Sequence, residues 1–446
     1  MTSTREKIKN VLIGLLLVGM VYLTYAVWFY DSPFGELNFD SLFDLSVQED
    51  VGEGENSDLD RFGIRPLAIA VSDEEGRRGA TYSSDKSEEI YNAVRPDIVR
   101  CVRKVREFTE TDNATWEEML SSGGVFMDYR ADVPVSAIWM WLGSYSGAES
   151  PHGRYFLFST DKRNVTIYIK NENTGKIYTA QTDMPSETLK TTISRTTGDA
   201  VSFALDREEE DFRYIMQETV IHNAQRDFSI LSAYNPLENM SSKVSAAALE
   251  VFGLSAASPT RYAEQDGTEV YIADRVTLKI SPEGIATYTD TREETDEILG
   301  IPIESDEEIP TLAEKTEAAR KLTAQFASRL PGDGGIYIAA VNEGINGTEI
   351  IFGRHVEGIP VDMRETLYFS SIMIKGKSVR SAKFNLCGYD KTSKMSRPMP
   401  ERLAAAAVRG GGKSGDLNLR YRDTAEAEIP FAWYVGGIER ENKKGA

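Results

Sequence analysis

This sequence of 446 residues has few cysteines and histidines, and its basic residues are fewer than its acidic ones. The two cysteines, Cys101 and Cys387, do not form a CxxC pair, so the spacing of zinc and thioredoxin motifs is missing. We expect two partly buried thiols, and a disulfide between them stays open. Acidic residues number 70 against 50 basic ones, a net charge of −20. This balance disfavours binding to nucleic acids, which depends on lysine and arginine.

The three histidines, His152, His222 and His355, have no metal-ligand spacing, and none belongs to an HExxH motif. We expect each to be a surface histidine or a hydrogen-bonded one, because a site needs partners that converge on it. The sequence therefore predicts no catalytic, cofactor-binding or metal-binding residues, and no cofactor.

Two short motifs leave an enzymatic alternative open. Ser83–Lys86 matches S-x-x-K, and Lys413–Gly415 is close to K-T-G. In the penicillin-interacting serine enzymes a lysine beside the serine accepts its proton during acylation. The S-D-N element of that class is missing, and Lys413–Gly415 follows a predicted helix instead of lying on a strand. We therefore predict that the chain is not an enzyme.

One long uncharged stretch, Val11–Tyr30, lies near the N-terminus. As a helix it would be about 30 Å long, which matches the hydrocarbon core of a bilayer. Lys7 and Lys9 precede it and Asp31 follows it. The positive-inside rule then places residues 1–10 in the cytoplasm and the bulk of the chain outside. The stretch ends in bulky aromatic residues, which favours a retained anchor over a cleaved signal peptide.

The patterns after this stretch predict an α+β fold outside the membrane. Residues 31–64 are acidic and poorly periodic, which is typical of a linker. Residues 65–235 mix predicted helices and strands in a first domain. Within it, apolar and polar residues alternate along Val165–Lys170, which predicts a half-buried strand.

Three further elements are predicted in this first domain. A helix is expected over residues 84–108, with an interruption near Pro96. The apolar run Ser136–Leu142 is predicted to be a strand. Residues Asp206–Val220 are predicted to form a helix, because their apolar residues share one helical face.

From residue 236 onward one unit recurs, in which a short helix is followed by antiparallel strands. We predict two such domains, at residues 236–305 and 306–440. In the second, Thr311 and Glu314 form a capping box that starts a helix. Hairpins that share one sheet, with helices on one face, form an α+β layer.

Five segments resemble the YycH regulators of low-GC Gram-positive bacteria. Gly123–Leu142 (GGVFMDYRADVPVSAIWMWL) is similar to that family's strand, turn and following apolar segment, and Tyr155–Thr179 is similar to the next strand pair. Gly267–Tyr288 and Gly358–Ile374 resemble the helix-plus-sheet units shared with the sister regulator YycI and with PepSY-type domains. Ile429–Val435 (IPFAWYV) resembles the final strand.

This resemblance implies a role without catalysis. Members of the family modulate a WalK-type sensor histidine kinase that controls cell-wall metabolism, in a complex with YycI and partly through transmembrane helices. The chain would then be a single-pass protein of the cell membrane, with a cytoplasmic N-terminus and an extracellular bulk. Val11–Tyr30 would belong to its functional surface. An extracytoplasmic module that binds a peptide or a cell-wall polymer stays open as the alternative.

Overall fold

The computed structural model describes residues 62, 64–103, 105, 107–144, 150–254, 259–292, 301–305, 307–330 and 332–436, except for the side chains of residues 239 and 240. The predicted cytoplasmic tail and anchor lie outside these residues, as does the predicted linker apart from residues 62 and 64. Within the described ranges no helix is both long and apolar enough to cross a bilayer. The anchor and the single-pass topology therefore stay predictions.

Residues 68–222 build a nine-stranded antiparallel sheet and the helices that cover it. Its elements are β1 (Ala68–Asp73), β2 (Gly76–Thr81), α1 (Ser84–Val102), β3 (Thr109–Thr111), α2 (Asn113–Ser121), β4 (Gly124–Pro134), α3 (Val135–Trp141), β5 (His152–Ser159), β6 (Asn164–Lys170), β7 (Ile177–Pro185), α4 (Ser186–Arg195), β8 (Asp199–Phe203) and β9 (Val220–His222). The strand order is β3-β7-β6-β5-β4-β1-β2-β8-β9.

Later residues build a twelve-stranded sheet and a separate two-stranded one. The elements are β10 (Phe228–Tyr234), α5 (Leu237–Val251), β11 (Thr260–Ala263), β12 (Glu269–Ala273), β13 (Val276–Ile280), β14 (Ile285–Asp290), β15 (Ile301–Pro302), α6 (Leu312–Arg329), β16 (Gly335–Gly344), β17 (Gly347–Val356), β18 (Ile359–Asp362), β19 (Ser370–Lys375), β20 (Ser378–Asn385), β21 (Gly388–Ser396), α7 (Glu401–Gly410), β22 (Asp416–Arg422) and β23 (Phe431–Gly436). The main order is β11-β12-β13-β14-β20-β19-β17-β18-β22-β23, while β15 pairs with β20, β16 with β17 and β10 with β21.

The predicted α+β class is confirmed, since helices pack on largely antiparallel sheets. The alternating segment Val165–Lys170 lies in β6, and the capping box of Thr311 and Glu314 starts α6. β14 and β20, from opposite sides of residue 305, pair with each other in one sheet. The division into domains at residues 305 and 306 stays a prediction.

One apolar core runs through both sheets. Ile69 and Phe156 contribute to it from the first sheet, and Phe326, Phe384 and Tyr421 from the second region, all at most 2% exposed. The rings of Phe326 and Phe384 stack with centroids 4.5 Å apart. The described residues accordingly form a single unit, so contacts between the two sheets belong to one body.

The prediction of a strand at Ser136–Leu142 is wrong, because Val135–Trp141 forms α3. A short, continuous apolar run has no period that separates a buried strand from a buried helix. The indole Nε1 of Trp141 donates a hydrogen bond to Glu317 of α6 at 2.7 Å. This contact comes from a segment far away in sequence, and it fixes the C-terminal end of α3 against the second region.

Two further predictions of helix limits are wrong. The helix α1 continues through Pro96 and ends at Val102, so neither the expected interruption nor the end near residue 108 occurs. Residues Asp206–Val220 do not form an α-helix; two short 3₁₀ segments, Ala204–Asp206 and Glu210–Tyr214, lead into β9. Phe212 and Ile215 are buried in one cluster with α7, whereas Val220 packs in another cluster with residues of the first sheet, so tertiary packing explains the pattern that suggested a helical face.

Candidate functional site

The two sheets meet along a seam. On one side lie β4, β5, β9 and the start of α1; on the other lie β16, the β17–β18 turn, α7 and β22. Three features occupy this seam: a buried ion cluster, a large polar cleft and a small apolar pocket.

The ion cluster joins Asp128 and Arg130 of β4 and Arg154 of β5 to Asp416 of β22. Arg154 donates from Nε to Asp128 Oδ1 at 2.8 Å and from Nη2 to Asp128 Oδ2 at 3.0 Å, and Nη2 also binds Asp416. Arg130 Nη1 lies 3.3 Å from Asp128 Oδ2 and 3.5 Å from Asp416 Oδ2. All four side chains are at most 8% exposed.

Asp416 is saturated with donors. Thr219 Oγ1 and Asn418 Nδ2 also donate to its carboxylate, at 3.1 and 2.7 Å. Burial by itself would raise the pKa of Asp416, but the attraction of Arg154 and Arg130 outweighs burial and holds that pKa well below its usual range. The cluster therefore joins the two sheets as a closed unit and offers a ligand no open carboxylate oxygen.

A cleft of about 630 Å³ lies elsewhere on the seam. Ser83, Ser84 and Ser87 of the α1 start form one wall, and the β17–β18 turn with Gly358 forms part of the other. Gly358 has a φ of +78°, and a Cβ there would lie 3.1 Å from the backbone nitrogen of Ser83. Glycine thus permits both the turn and the close approach of the two walls.

Charges in the cleft are not balanced. Carboxylates outnumber the lining arginines and lysines by five to three; the residues are Asp85, Glu88, Asp227, Asp333 and Glu357 against Arg65, Arg226 and Lys391. Lys391 Nζ binds Glu357 Oε1 at 2.9 Å. This hydrogen bond raises the pKa of Lys391, and attraction by Asp333 and Asp85 adds to the rise. The ammonium group of Lys391 binds only Glu357, and Asp333 and Asp85 add negative charge around it.

The hydroxyl of Ser87 is an unusual group in the cleft wall. Ser87 is 7% exposed, and its Oγ finds no hydrogen-bond partner among the described residues. Most buried hydroxyls in native proteins are hydrogen-bonded. The hydroxyl of Ser87 is an exception to this rule.

No family model matches the sequence, and no curated protein matches it either. Among solved structures, YycH from Bacillus subtilis is similar, with a TM-score of 0.52 and 12% sequence identity. The match covers 84% of this chain and 95% of that one. The fold is that of YycH. The resemblance to the YycH family that the sequence segments suggested is thereby confirmed at the level of the fold.

In this YycH fold the S-x-x-K match does not assemble as a serine-enzyme site. Ser83 is the N-cap residue of α1 and lines the cleft. Lys86 Nζ instead binds Asp199 Oδ1 of β8 at 2.6 Å. Lys413 and Ser414 do not line the cleft. The sequence-based prediction of no catalytic residues stays a prediction.

The small pocket of this chain has a volume of about 190 Å³ and lies between β9 and α7. Phe228, Ile221 and Trp433 give it apolar walls. The carboxylate of Glu401 accepts a hydrogen bond from the backbone nitrogen of His222 at 3.3 Å. Burial raises the pKa of Glu401 to about 7, so this group titrates near neutral pH.

The three histidines lie in different elements and make separate contacts. His222 Nε2 is 3.1 Å from the carbonyl oxygen of Thr81, and His355 Nδ1 accepts a hydrogen bond from the Gly358 nitrogen at 3.2 Å. Burial lowers the pKa of His355 to about 4, which keeps its ring neutral. His152 begins β5. Over the described ranges, no three His, Cys, Asp or Glu side chains group as a metal site requires.

Cys101 and Cys387 are free and buried, so the expected thiols are confirmed and the possible disulfide is absent. The Sγ of Cys101 lies 3.2 Å from the Sδ of Met184. Burial raises the pKa of Cys101 to about 12 and that of Cys387 to about 11. Both thiols are therefore protonated and unreactive at neutral pH.

Sequence reasoning missed the ion cluster and the cleft. A signal for the cluster was present, because Asp128 and Arg130 interrupt an otherwise apolar strand and charged residues are rarely buried unless paired. No comparable signal marked the cleft, since its walls come from segments up to some 300 residues apart that only the fold brings together.

Proposed function

We propose that this chain is a membrane-anchored, extracytoplasmic regulator that modulates a WalK-type sensor histidine kinase through protein contacts. Its support is the likeness in fold to YycH, which extends over 84% of the chain, together with the uncharged stretch Val11–Tyr30 and its basic N-terminal flank. In this proposal a YycI-like protein joins the complex, and the bulk of the chain lies outside the cell.

The anchor would contribute to regulation by contacting helices of the kinase. Such a contact needs to favour one kinase state by only a few kcal/mol to change its population strongly. The twelve-stranded sheet would supply the outer body of the regulator. We propose that its helix-plus-sheet segments are PepSY- and YycI-like units, which is consistent with α5 and α6 each preceding antiparallel strands.

Co-purification tests the regulatory role. The tagged full-length chain is co-expressed with a WalK-type kinase, and the kinase recovered is compared with that from a variant in which an unrelated transmembrane helix of equal length replaces Val11–Tyr30. We expect the exchange to reduce kinase recovery while the variant stays in the membrane fraction. Equal recovery with both anchors would contradict a role for the helix, and no recovery with either would contradict the proposal.

The location is tested separately by protease digestion of intact cells and of inverted membrane vesicles. A chain with a cytoplasmic N-terminus loses its C-terminal tag in cells and keeps it in inverted vesicles. The opposite pattern would contradict the proposed topology, and so would protein that has lost residues 1–30 and is found free in the medium.

A fluorescent β-lactam tests the enzymatic alternative, with S83A as the control. Labelling of the unaltered chain that is lost in S83A would support an enzyme.

A binding module is the second candidate function. The cleft of about 630 Å³ favours it, because ligand sites are concave, have volumes of this order and often lie where two parts of a fold meet. Binding and kinase regulation are compatible, since a ligand that touches both walls of the seam would stabilise one arrangement of the two sheets over another.

A further inference from the structure

The cleft on the seam has the chemistry of a site for a cation. Lys391 is bonded to Glu357, and its backbone nitrogen donates to Asp333 Oδ2 at 3.1 Å. Asp85, on the opposite wall, forms no ion pair within the described part of the chain. We propose that this cleft binds a ligand that carries a primary ammonium group, held by Asp85 and Asp333 beside Lys391. This site goes beyond the regulatory role and does not depend on it.

Ser87 is an independent observation that points to the same place. Ser87 lies one turn into α1 and lines the cleft, its side chain is more than nine-tenths buried, and its Oγ has no partner among the described residues. A hydroxyl can accept a hydrogen bond from an ammonium or amide group of a ligand. Binding would therefore remove the cost of leaving this hydroxyl buried without a partner.

The rest of the cleft suits the body of such a ligand. Tyr82, Phe228, Ile336 and Val356 give it apolar surface, on which the methylene chain of an amine can pack while its charge meets the carboxylates. The volume of about 630 Å³ lies within the usual range for small-molecule sites. A lysine-containing peptide and a free polyamine both present this combination of an ammonium group and an aliphatic chain.

An anionic ligand fits the cleft less well, although the N-terminus of α1 faces it. Asp85 lies in the first turn of α1, where its carboxylate already meets the positive end of the helix dipole. With five carboxylates against three cationic side chains in the lining, a further negative charge would be repelled.

Calorimetric titration of the full-length chain in nanodiscs tests the proposal. The probes are an end-blocked Ala-Lys-Ala tripeptide, the same peptide with an acetylated lysine, spermidine and inorganic phosphate. We expect the lysine peptide or spermidine to bind and acetylation to weaken binding at least tenfold. Tighter binding of the tripeptide would identify the ligand as a peptide, and tighter binding of spermidine would identify it as a polyamine.

Two matched variants separate a site from general attraction to an acidic protein. D85N should lower the affinity at least tenfold, whereas D161N removes the same charge at an exposed turn outside the cleft and should change it less than twofold. S87A should lower the affinity at least threefold. Equal losses in D85N and D161N, equal binding of the acetylated peptide, binding of phosphate alone, or no binding of any cationic probe at millimolar concentration would each overturn the proposal.

Discussion

At the ion cluster, two arginines and two carboxylates lie at most 8% exposed and bind one another. In the cleft on the same seam, the pair of Lys391 and Glu357 is about 40% exposed, and nearby carboxylates exceed the available cations. The cluster joins β22 to β4 and β5, while the cleft leaves a gap between α1 and the β17–β18 turn.

This difference shows how burial decides what charge can do. Where water is excluded, a charge must be matched by partners, because removing one partner leaves another charge unpaired in a low-dielectric interior. Where water enters, unmatched charge is solvated at low cost and stays available to a ligand. The seam thus combines a closed part that holds the sheets together with an open part that can respond to its surroundings. Five predictions test this contrast.

The largest effect is expected at the cluster. D416N should lower the free energy of unfolding by about 3–5 kcal/mol, because Arg154 and Arg130 would lose a buried counter-charge. Urea unfolding measures the change, and D161N, at an exposed turn, should change stability by less than about 0.5 kcal/mol. A cost for D416N no larger than that of D161N would show that the cluster does not hold the seam.

The same cluster should govern acid unfolding. The pKa of Asp416 in the folded chain lies below that of an unfolded aspartate, which is about 3.9. Its stabilising effect is therefore present above that value and is lost as the pH falls from about 4 through the folded pKa. Unfolding free energies measured between pH 6 and pH 3 should fall less steeply for D416N than for the unaltered chain.

Glu401 should show the opposite dependence on pH. Burial raises its folded pKa to about 7, so its stabilising contribution is complete below the unfolded value of about 4.3 and is lost as the pH rises through 7. E401Q should remove this decline, which makes the variant more stable than the unaltered chain at pH 8 by roughly 1–3 kcal/mol. Urea unfolding at pH 5 and pH 8 measures the difference, with the exposed E343Q as control. An equal decline in E401Q would contradict the assignment.

Two buried serines differ in whether the hydroxyl has a hydrogen-bond partner among the described residues. S370A should cost about 1–3 kcal/mol, because the Ser370 hydroxyl lies 2.9 Å from that of buried Thr323, which would lose its partner. S87A should leave stability unchanged or raise it by up to about 1 kcal/mol, because it removes an unpartnered hydroxyl. Thermal unfolding of the ligand-free chain measures both, and a marked loss in S87A would mean that its hydroxyl is already bonded.

The smallest effect is expected at the open ion pair. K391M should cost about 0.2–1 kcal/mol at low ionic strength, because the pair with Glu357 is exposed to water and screened by salt. Raising the salt concentration should reduce this cost, whereas the cost of D416N should hardly change. Urea unfolding at two salt concentrations compares the two variants. If the costs of K391M and D416N depended equally on salt, the proposed difference between the buried cluster and the exposed pair would be contradicted.

Much of the local structure could be predicted because it depends on neighbouring residues. The alternation along Val165–Lys170 and the capping box of Thr311 and Glu314 each specify an element within a few positions. Ser136–Leu142 could not be assigned correctly, because a short apolar run fits either kind of buried element. Its helical form in the structure is accompanied by a contact between Trp141 and Glu317, 176 residues away.

By itself, the sequence determined the α+β class and the resemblance to YycH, because periodicity, composition and segment order are local properties. Only the tertiary structure decided which charges are buried and which face water. Asp128 and Asp85 are both aspartates within regular elements, yet one meets two arginines in a buried interior and the other lines an open cleft. The surroundings of a charge come from distant strands, and the dielectric they create sets what that charge can do.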